Sequence, residues 1–141
     1  MLNILLDTDA LVALTKKADS NRQKALAIYQ KLKKEGVQFF LSPFTIAETV
    51  TVLSYRVSHQ EGKKFLEEAR KKNLTTFSWD QDTQNLADDW FNKQGKKGTS
   101  YFDCYNMALL ERYKKELDAI FSFDGVYKRN GFKLAEESST P

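Results

Sequence analysis

Short apolar runs alternate along this chain with longer segments in which apolar residues recur at every third or fourth position. The short runs are typical of buried strands, and the longer segments are typical of amphipathic helices. Because helical segments separate the strands and no hairpin signal joins them, the pattern predicts an α/β fold with a parallel sheet and right-handed crossovers. Strands are predicted at residues 2–7, 37–41, 74–79 and 118–123, and residues 132–135 are a candidate for a fifth.

Polar residues and glycines indicate where the helices between these strands begin and end. A short helix is expected from Ala10 to Leu14, and a longer one at 21–34 ends before Gly36. Ser42 as N-cap and Pro43 at the first helical position begin the next helix. The other predicted helices run from a capping box at 58–61 to Lys72, from Asp80 to near Gly95, and from Ser100 to about Glu116.

The length and composition indicate one domain. A chain of 141 residues has a common domain size, and its 41% hydrophobic residues can fill one core. We expect that domain at residues 1–135, followed by a disordered polar tail at 136–141. No apolar stretch approaches the roughly 20 residues that span a bilayer, so no membrane helix is predicted. The single cysteine, Cys104, excludes an intrachain disulfide and is consistent with a cytoplasmic protein.

Four acids occur where elements begin or end. Asp7 and Asp124 follow apolar runs, and Glu48 and Asp103 lie in predicted first helical turns. Because strand carboxyl ends and helix starts share one edge of a parallel sheet, we expect the four carboxylates to lie together and to repel unless cations share the site. Oxygen ligands without His or Cys favour Mg²⁺ or Mn²⁺. Taken singly, each acid also fits a helix cap or a turn.

The charge distribution favours a polyanionic substrate. The formal net charge is +3, and because the four acids carry −4, the rest of the chain carries +7. The loop Gly95–Gly98 contains Lys96 and Lys97, which are candidate contacts to a substrate phosphate, although the loop lacks the spacing of a nucleotide-binding P-loop. We interpret the aromatic residues as core residues because most of them recur at core spacing, and not as base-stacking surfaces.

Four motifs in this order and spacing resemble those of the PIN-domain nucleases, and the size and layout are similar to VapC toxins. The motifs are the strand leading into Asp7-Thr8, the segment from Leu41 to Glu48, the segment from Thr99 to Asp103, and the segment from Ser122 to Tyr127. The resemblance implies a three-layer α/β/α sandwich. It also implies that Asp7, Glu48, Asp103 and Asp124 are catalytic and bind Mg²⁺ or Mn²⁺.

The resemblance further implies that Ser100 and Thr8 orient the site, that RNA is the substrate, and that the chain forms a homodimer with a cognate antitoxin as partner. In this interpretation the chain is a metal-dependent endoribonuclease in which the cation activates a water for in-line attack on a phosphodiester. Asp9 stands where the family often has an uncharged polar residue, and we interpret it as a helix N-cap outside the ligand set.

Three alternatives remain open at this point. The first is a housekeeping RNA-processing nuclease of the same family, which acts without an antitoxin. The second is a phosphatase of the haloacid-dehalogenase type, because Asp7-Thr8-Asp9 resembles the opening D-x-D of that class. The third is a non-catalytic RNA-binding module that retains the fold.

Overall fold

The protein has a four-stranded, all-parallel sheet with the strand order β3-β2-β1-β4. A computed structural model describes residues 1–72 and 74–137. The strands are β1 (Leu2–Leu6), β2 (Val37–Leu41), β3 (Thr75–Thr76) and β4 (Ala119–Phe121). The central pair, β1 and β2, places Ile4 opposite Phe39, and the next pair places Leu5 opposite Ile120. The predicted parallel α/β architecture is therefore confirmed.

Consecutive residues of β1 contribute to the cores on opposite faces of the sheet, because side chains alternate along a strand. Leu5 packs in one core with residues of α6 such as Leu109, whereas Ile4 and Leu6 pack in the other with residues of α1 and α2. Both faces of the sheet are thus covered by helices, and the predicted three layers are confirmed. The helices are α1 (Thr8–Thr15), α2 (Arg22–Glu35), α3 (Thr45–Arg56), α4 (His59–Lys72), α5 (Gln81–Lys93), α6 (Tyr101–Arg112) and α7 (Val126–Arg129).

The strand predictions were correct in position but too long at the edges of the sheet. The predicted third strand, 74–79, is reduced to two exposed residues, and the fourth ends at Phe121. The candidate fifth strand is wrong: Leu134 makes one isolated parallel bridge to Ile120, and a 3-10 turn, Ala135–Glu137, follows directly. A segment at the edge of a sheet has a neighbouring strand on one side only, so fewer backbone hydrogen bonds hold it in a strand and the strand is shorter.

Several helix boundaries differ from the sequence prediction by two residues or more, and one helix was not predicted. The helix expected from Ser42 and Pro43 begins at Thr45, because the Ser42 hydroxyl accepts a hydrogen bond from Phe44 N (3.1 Å) and closes a separate turn. Helix α6 ends at Arg112 rather than near Glu116. The four-residue helix α7 is too short to produce a helical periodicity. The predicted caps Gly36, with φ +80°, and Asp80 are confirmed.

The end of the chain is partly ordered. Glu136 and Glu137, which the sequence placed in a disordered tail, belong to the 3-10 turn and form ion pairs with Lys24 (3.4 Å) and Lys128 (3.2 Å). The rest of the predicted tail, 138–141, lies outside the described residues. Among the helices of the described residues, none is both long enough and apolar enough to cross a membrane.

Candidate active site

The four predicted acids lie at the carboxyl edge of the sheet. Asp7 follows β1 directly and is the N-cap of α1, and Asp124 lies three residues beyond β4. Glu48 lies in the first turn of α3 and Asp103 in the first turn of α6. Electrostatic coupling links Asp103 to Asp7, Glu48 and Asp124, so the fold brings together the four acids that the sequence selected.

Asp7 is the most deeply buried of these acids, with 5% of its surface exposed. Its carboxylate accepts hydrogen bonds from Thr8 N (2.8 Å), Asn106 Nδ2 (3.2 Å) and Ser122 Oγ (2.8 Å), and the Tyr127 hydroxyl lies 3.0 Å away. Burial raises the pKa of Asp7 well above its ordinary value, and repulsion from nearby carboxylates raises it further. The hydrogen-bond donors hold the carboxyl group in one orientation, but they do not offset the increase in its pKa that burial and repulsion cause.

The Tyr127 hydroxyl links two of the acids. It lies 3.0 Å from Oδ2 of Asp7 and 3.1 Å from Oδ1 of Asp103, and it accepts a hydrogen bond from Asn106 (3.1 Å). A phenol has one proton and can donate to only one carboxylate at a time. In the metal-free protein, the other contact is therefore a hydrogen bond only when the carboxyl group itself carries a proton.

Asp103, like Asp7, can carry such a proton because its pKa is raised. Burial raises its pKa to about 7, and the charges of Asp124 and Glu48 contribute to the increase. Glu48 in turn accepts a 2.6 Å hydrogen bond from the Thr8 hydroxyl, which fixes its carboxylate beside the first turn of α1. Thr8, which the resemblance assigns to orienting the site, thus contacts one of the four acids.

The prediction that Asp9 is a helix N-cap is wrong. Helix α1 begins two residues earlier than expected, at Thr8, so that Asp7 is the cap and Asp9 lies inside the first turn. Its Oδ2 accepts a hydrogen bond from Phe123 N (3.0 Å) and lies 3.3 Å from Ser122 Oγ, whose closer partner is Asp7 (2.8 Å). Burial raises the pKa of Asp9 to about 6, with a further contribution from Asp124. Asp9 thus belongs to the same cluster of acids.

Three other predicted site residues lie at the start of α6 or in the loop before it. Ser100 is the N-cap of α6 and accepts a hydrogen bond from Phe102 N (3.1 Å), so it positions the helix that carries Asp103 and does not itself bond to an acid. Lys96 and Lys97 are exposed in the loop before α6. Burial raises the pKa of the Cys104 thiol to about 11, so this thiol beside Asp103 is not activated as a nucleophile.

Sequence reasoning missed three residues that hydrogen-bond to the acids, namely Asn106, Ser122 and Tyr127. A signal for Asn106 was available, because it lies three residues after Asp103 on the same side of a helix and is a buried amide among apolar neighbours. Ser122 lies in irregular structure and Tyr127 in the four-residue helix α7, and neither segment has a periodicity that indicates which side chains point inward.

The chemistry of this cluster fits a hard divalent cation. Its donors are oxygens, and two buried oxygens, Oδ1 of Asp9 and Oδ1 of Asn106, have no hydrogen-bond partner in the described part of the chain. Within residues 1–72 and 74–137, no three Asp, Glu, His or Cys side chains are already placed to hold one ion together. Binding would thus require the carboxyl groups to exchange present hydrogen bonds for contacts to the cation.

Comparison with known proteins identifies relatives of this fold. A family model described as PIN domain matches residues 4–133, whereas no curated protein matches significantly. The structure is similar to that of VapC20 from Mycobacterium tuberculosis, described as a sarcin-ricin loop cleaving toxin, with a TM-score of 0.78, 20% identity, and 92% of this chain and 96% of that chain covered. VapBC2 from Rickettsia felis, bound to promoter DNA, gives a TM-score of 0.65 at 11% identity, with 92% of each chain covered.

We predict that the metal-free protein loses stability as the pH rises from about 4 to about 7. The folded pKa values of Asp9 and Asp103 are about 6 and about 7, against an ordinary 3.8. The folded state therefore binds more protons than the unfolded state in this range, so deprotonation destabilises it. The measurement is the free energy of unfolding by denaturant in EDTA at about pH 5 and about pH 8.

The Asp7→Asn variant should show a smaller difference between the two pH values, because a repelling charge is removed from the cluster. The matched control is Asp89→Asn, which changes an exposed acid on α5 and should retain the wild-type dependence. A free energy of unfolding that stays constant or rises over this range would contradict the prediction.

Proposed function

The chain belongs to the PIN-domain family, and we propose that it is a divalent-metal-dependent endoribonuclease that acts as the toxin of a type II toxin–antitoxin pair. PIN domains are nucleases, which are hydrolases. The observation that carries the proposal is the group of mutually repelling acids at the carboxyl edge of the sheet, with raised pKa values at Asp7, Asp9 and Asp103. Such repulsion is relieved when a cation binds among the carboxylates.

Asp7, Glu48, Asp103 and Asp124 would hold Mg²⁺ or Mn²⁺. When bound, such a cation lowers the pKa of a coordinated water and neutralises charge on the phosphate under attack. The chain's own contribution is orientation: the Thr8 hydroxyl fixes Glu48 (2.6 Å), and the Ser122 hydroxyl fixes Asp7 (2.8 Å). Because these supporting side chains are themselves buried, they hold the acids at the sheet edge before substrate arrives.

The basic surface supports RNA as the class of substrate. Outside the four acids the chain carries a net +7, which attracts a polyanion to an otherwise acidic site. The exposed Lys96 and Lys97 precede the helix that carries Asp103, where they could contact phosphates. Since VapC20 is described as cleaving the sarcin-ricin loop, an RNA hairpin of that sequence is the first substrate to test, together with single-stranded RNA.

We predict that Asp7→Asn and Asp103→Asn each abolish Mg²⁺- or Mn²⁺-dependent RNA cleavage while the fold is retained. Asparagine preserves the shape of the side chain but removes the charge that attracts a cation. The measurement is cleavage of labelled RNA in gels, with and without EDTA, and circular dichroism to verify the fold. Asp89→Asn on the exposed face of α5 is the matched control and should cleave at the wild-type rate. Equal cleavage by all variants and in excess EDTA would refute metal-dependent hydrolysis.

Asp9 is a further candidate for the metal site. Its Oδ1 is buried and has no hydrogen-bond partner within the described residues, whereas its Oδ2 is held by Phe123 N. One oxygen is thus fixed by the protein, and the other retains its lone pairs. A carboxylate arranged in this way supports the site as an additional ligand or by accepting a bond from a metal-bound water.

We predict that Asp9→Asn weakens Mn²⁺ binding and slows RNA cleavage by about 10- to 100-fold, the usual effect of removing a group that supports a metal ligand. Isothermal titration with Mn²⁺ measures the affinity, and the cleavage rate at saturating Mn²⁺ separates a binding defect from a chemical one. Wild-type affinity and rate in this variant would instead assign Asp9 to the stability of α1 alone.

The alternative functions fit less well. The phosphatase scheme needs Asp9 as a general acid, and it does not account for a PIN model that matches residues 4–133. A non-catalytic RNA-binding module does not explain why all four acids are retained together. A housekeeping nuclease shares the same chemistry, so only the presence or absence of an antitoxin distinguishes it from a toxin.

A groove on the protein suits an antitoxin segment. It has a cavity volume of about 870 Å³ and is bounded by the end of α1, α2, α3 and α4. Apolar side chains such as Leu14, Tyr29 and Phe65 line it, and its rim contains five basic residues and two acidic ones. The groove therefore fits an amphipathic segment whose polar side is acidic.

We predict that the double variant Arg56→Glu, Lys64→Glu fails to retain the antitoxin but still cleaves RNA. The charge change reverses the attraction to an acidic segment at the groove and leaves the acid cluster intact. The probe is the product of a small reading frame adjoining the gene, co-expressed with the tagged chain and tested for co-purification. Lys114→Glu, outside the groove, is the control and should retain the partner. Equal retention by all variants would exclude this groove.

A further inference from the structure

Two phenylalanines lie at the helix starts that carry Glu48 and Asp103. Phe44 is the N-cap of α3, and Phe102 is the second residue of α6. Phe102 is 40% exposed, and a single exposed ring is by itself unremarkable. Its position beside the acid cluster is the feature that requires an explanation.

The two rings form one supported surface. Their centroids are 5.5 Å apart, with an angle of 51° between the ring planes. Phe44 also packs edge-on against the buried ring of Tyr105, at 5.0 Å and 87°. Phe44 is therefore fixed from below by the core and supports Phe102 from the side, so the exposed Phe102 ring is held in place at little further entropic cost.

The two phenylalanines lie at the same helix starts as two of the acids. Glu48 follows Phe44 by four residues, one helical turn, and Glu48 N donates a 2.9 Å hydrogen bond to Phe44 O. Asp103 follows Phe102 directly in α6. Glu48 and Asp103 are close enough to influence each other electrostatically, so the aromatic pair and the acid pair bridge the same two helix starts.

A second aromatic pair, the half-buried Tyr101 and the exposed Phe91, lies at the start of α6. Tyr101 lies 6.0 Å from Phe91 of α5, which is 45% exposed, and the Tyr101 hydroxyl donates to Asp88 (2.6 Å). The loop with the exposed Lys96 and Lys97 leads into this same helix start. Aromatic rings, exposed lysines and an acid cluster thus occur together, a combination that matches a nucleic acid strand better than an apolar protein surface.

We propose that Phe102, supported by Phe44, stacks on an unpaired RNA base next to the phosphodiester that is cleaved. The inference rests on the proposed ribonuclease function and adds a determinant of which RNA is bound: a strand whose base can leave its own stack. Aromatic stacking tolerates different bases, because each has a π-face. Phe102 therefore selects for single-stranded or looped RNA over a continuous duplex, and it contributes little to base identity. The interpretation of the aromatic residues as core residues does not hold for Phe102, nor for Tyr55, Trp79 and Phe91, which are also exposed.

The test measures RNA binding without cleavage. In an Asp7→Asn background, single-stranded RNA carrying 2-aminopurine at successive positions is titrated with protein in Mg²⁺. A base stacked on an aromatic ring loses fluorescence, so quenching at one position is expected. Phe102→Ala should abolish that quenching and weaken binding by about 5- to 100-fold, the range that follows from stacking on one ring.

Two further substitutions separate stacking from apolar burial. Phe102→Leu keeps an apolar side chain and should lose the quenching, whereas Phe102→Trp keeps a stacking ring and should retain it. Tyr55→Ala removes another exposed aromatic ring, 87% exposed on α3 and seven residues beyond Glu48, and should bind as the parent does. An abasic nucleotide at the quenched position should weaken binding to the parent but not to Phe102→Ala, because both changes remove the same contact.

The outcomes distinguish this inference from the proposed function. Unchanged quenching and affinity in Phe102→Ala would overturn the inference, and so would a change in oligomeric state without a change in RNA affinity, which would assign the ring to a subunit contact. If the wild-type chain binds RNA with Phe102-dependent quenching but never cleaves it with Mg²⁺ or Mn²⁺, the ribonuclease proposal fails and the stacking contact stands. If the wild-type chain cleaves RNA with Mg²⁺ or Mn²⁺ but shows no Phe102-dependent quenching, the ribonuclease proposal stands and the stacking contact fails.

Discussion

Asp7 places a carboxyl group at the end of a buried strand, where four neighbouring side-chain and backbone groups contact it and other acids repel it. Thr8 N, Asn106, Ser122 and Tyr127 come from α1, α6, the segment after β4, and α7. The carboxyl of Asp7 thus joins elements that are distant in sequence, and each of them also brings an acid or a neighbour of an acid. The sheet edge, the helix starts and the hydrogen-bond donors are all arranged around this one buried group.

Fixing acids so close together has an electrostatic cost, and that cost gives the site its chemistry. Burial and mutual repulsion raise the pKa values of Asp7, Asp9 and Asp103, so in the metal-free protein some protons are retained near neutral pH. The same arrangement favours a divalent cation, which supplies positive charge where protons would otherwise be needed. The surrounding +7 then offers a phosphate backbone a favourable approach to an acidic site.

The fold could be predicted to the extent that burial is periodic in the sequence. The run Leu2–Leu6 is apolar except for Asn3, because both faces of β1 are covered, and this near-continuous apolar pattern predicted a parallel sheet and placed Asp7 at its edge. The weak pairing at the edges of the sheet could not be predicted, because residues 74–79 and 132–135 both have the composition of strands. In the structure only two residues of the first segment form a strand, and the second forms one isolated bridge. The short α7 gave no periodic signal.

The sequence by itself determined which acids follow strands and begin helices, because those positions are set by local patterns of apolar residues and caps. Asp7, Glu48, Asp103 and Asp124 were found in this way. Only the tertiary structure decided what surrounds them, since Tyr127, Asn106 and Ser122 reach Asp7 from more than 90 positions away in the chain. The tertiary structure also shows that Asp9 lies among the acids rather than at the helix cap, and that Phe102 is exposed at the start of the helix that carries Asp103. Contacts between distant segments depend on three-dimensional packing, and no local pattern encodes them.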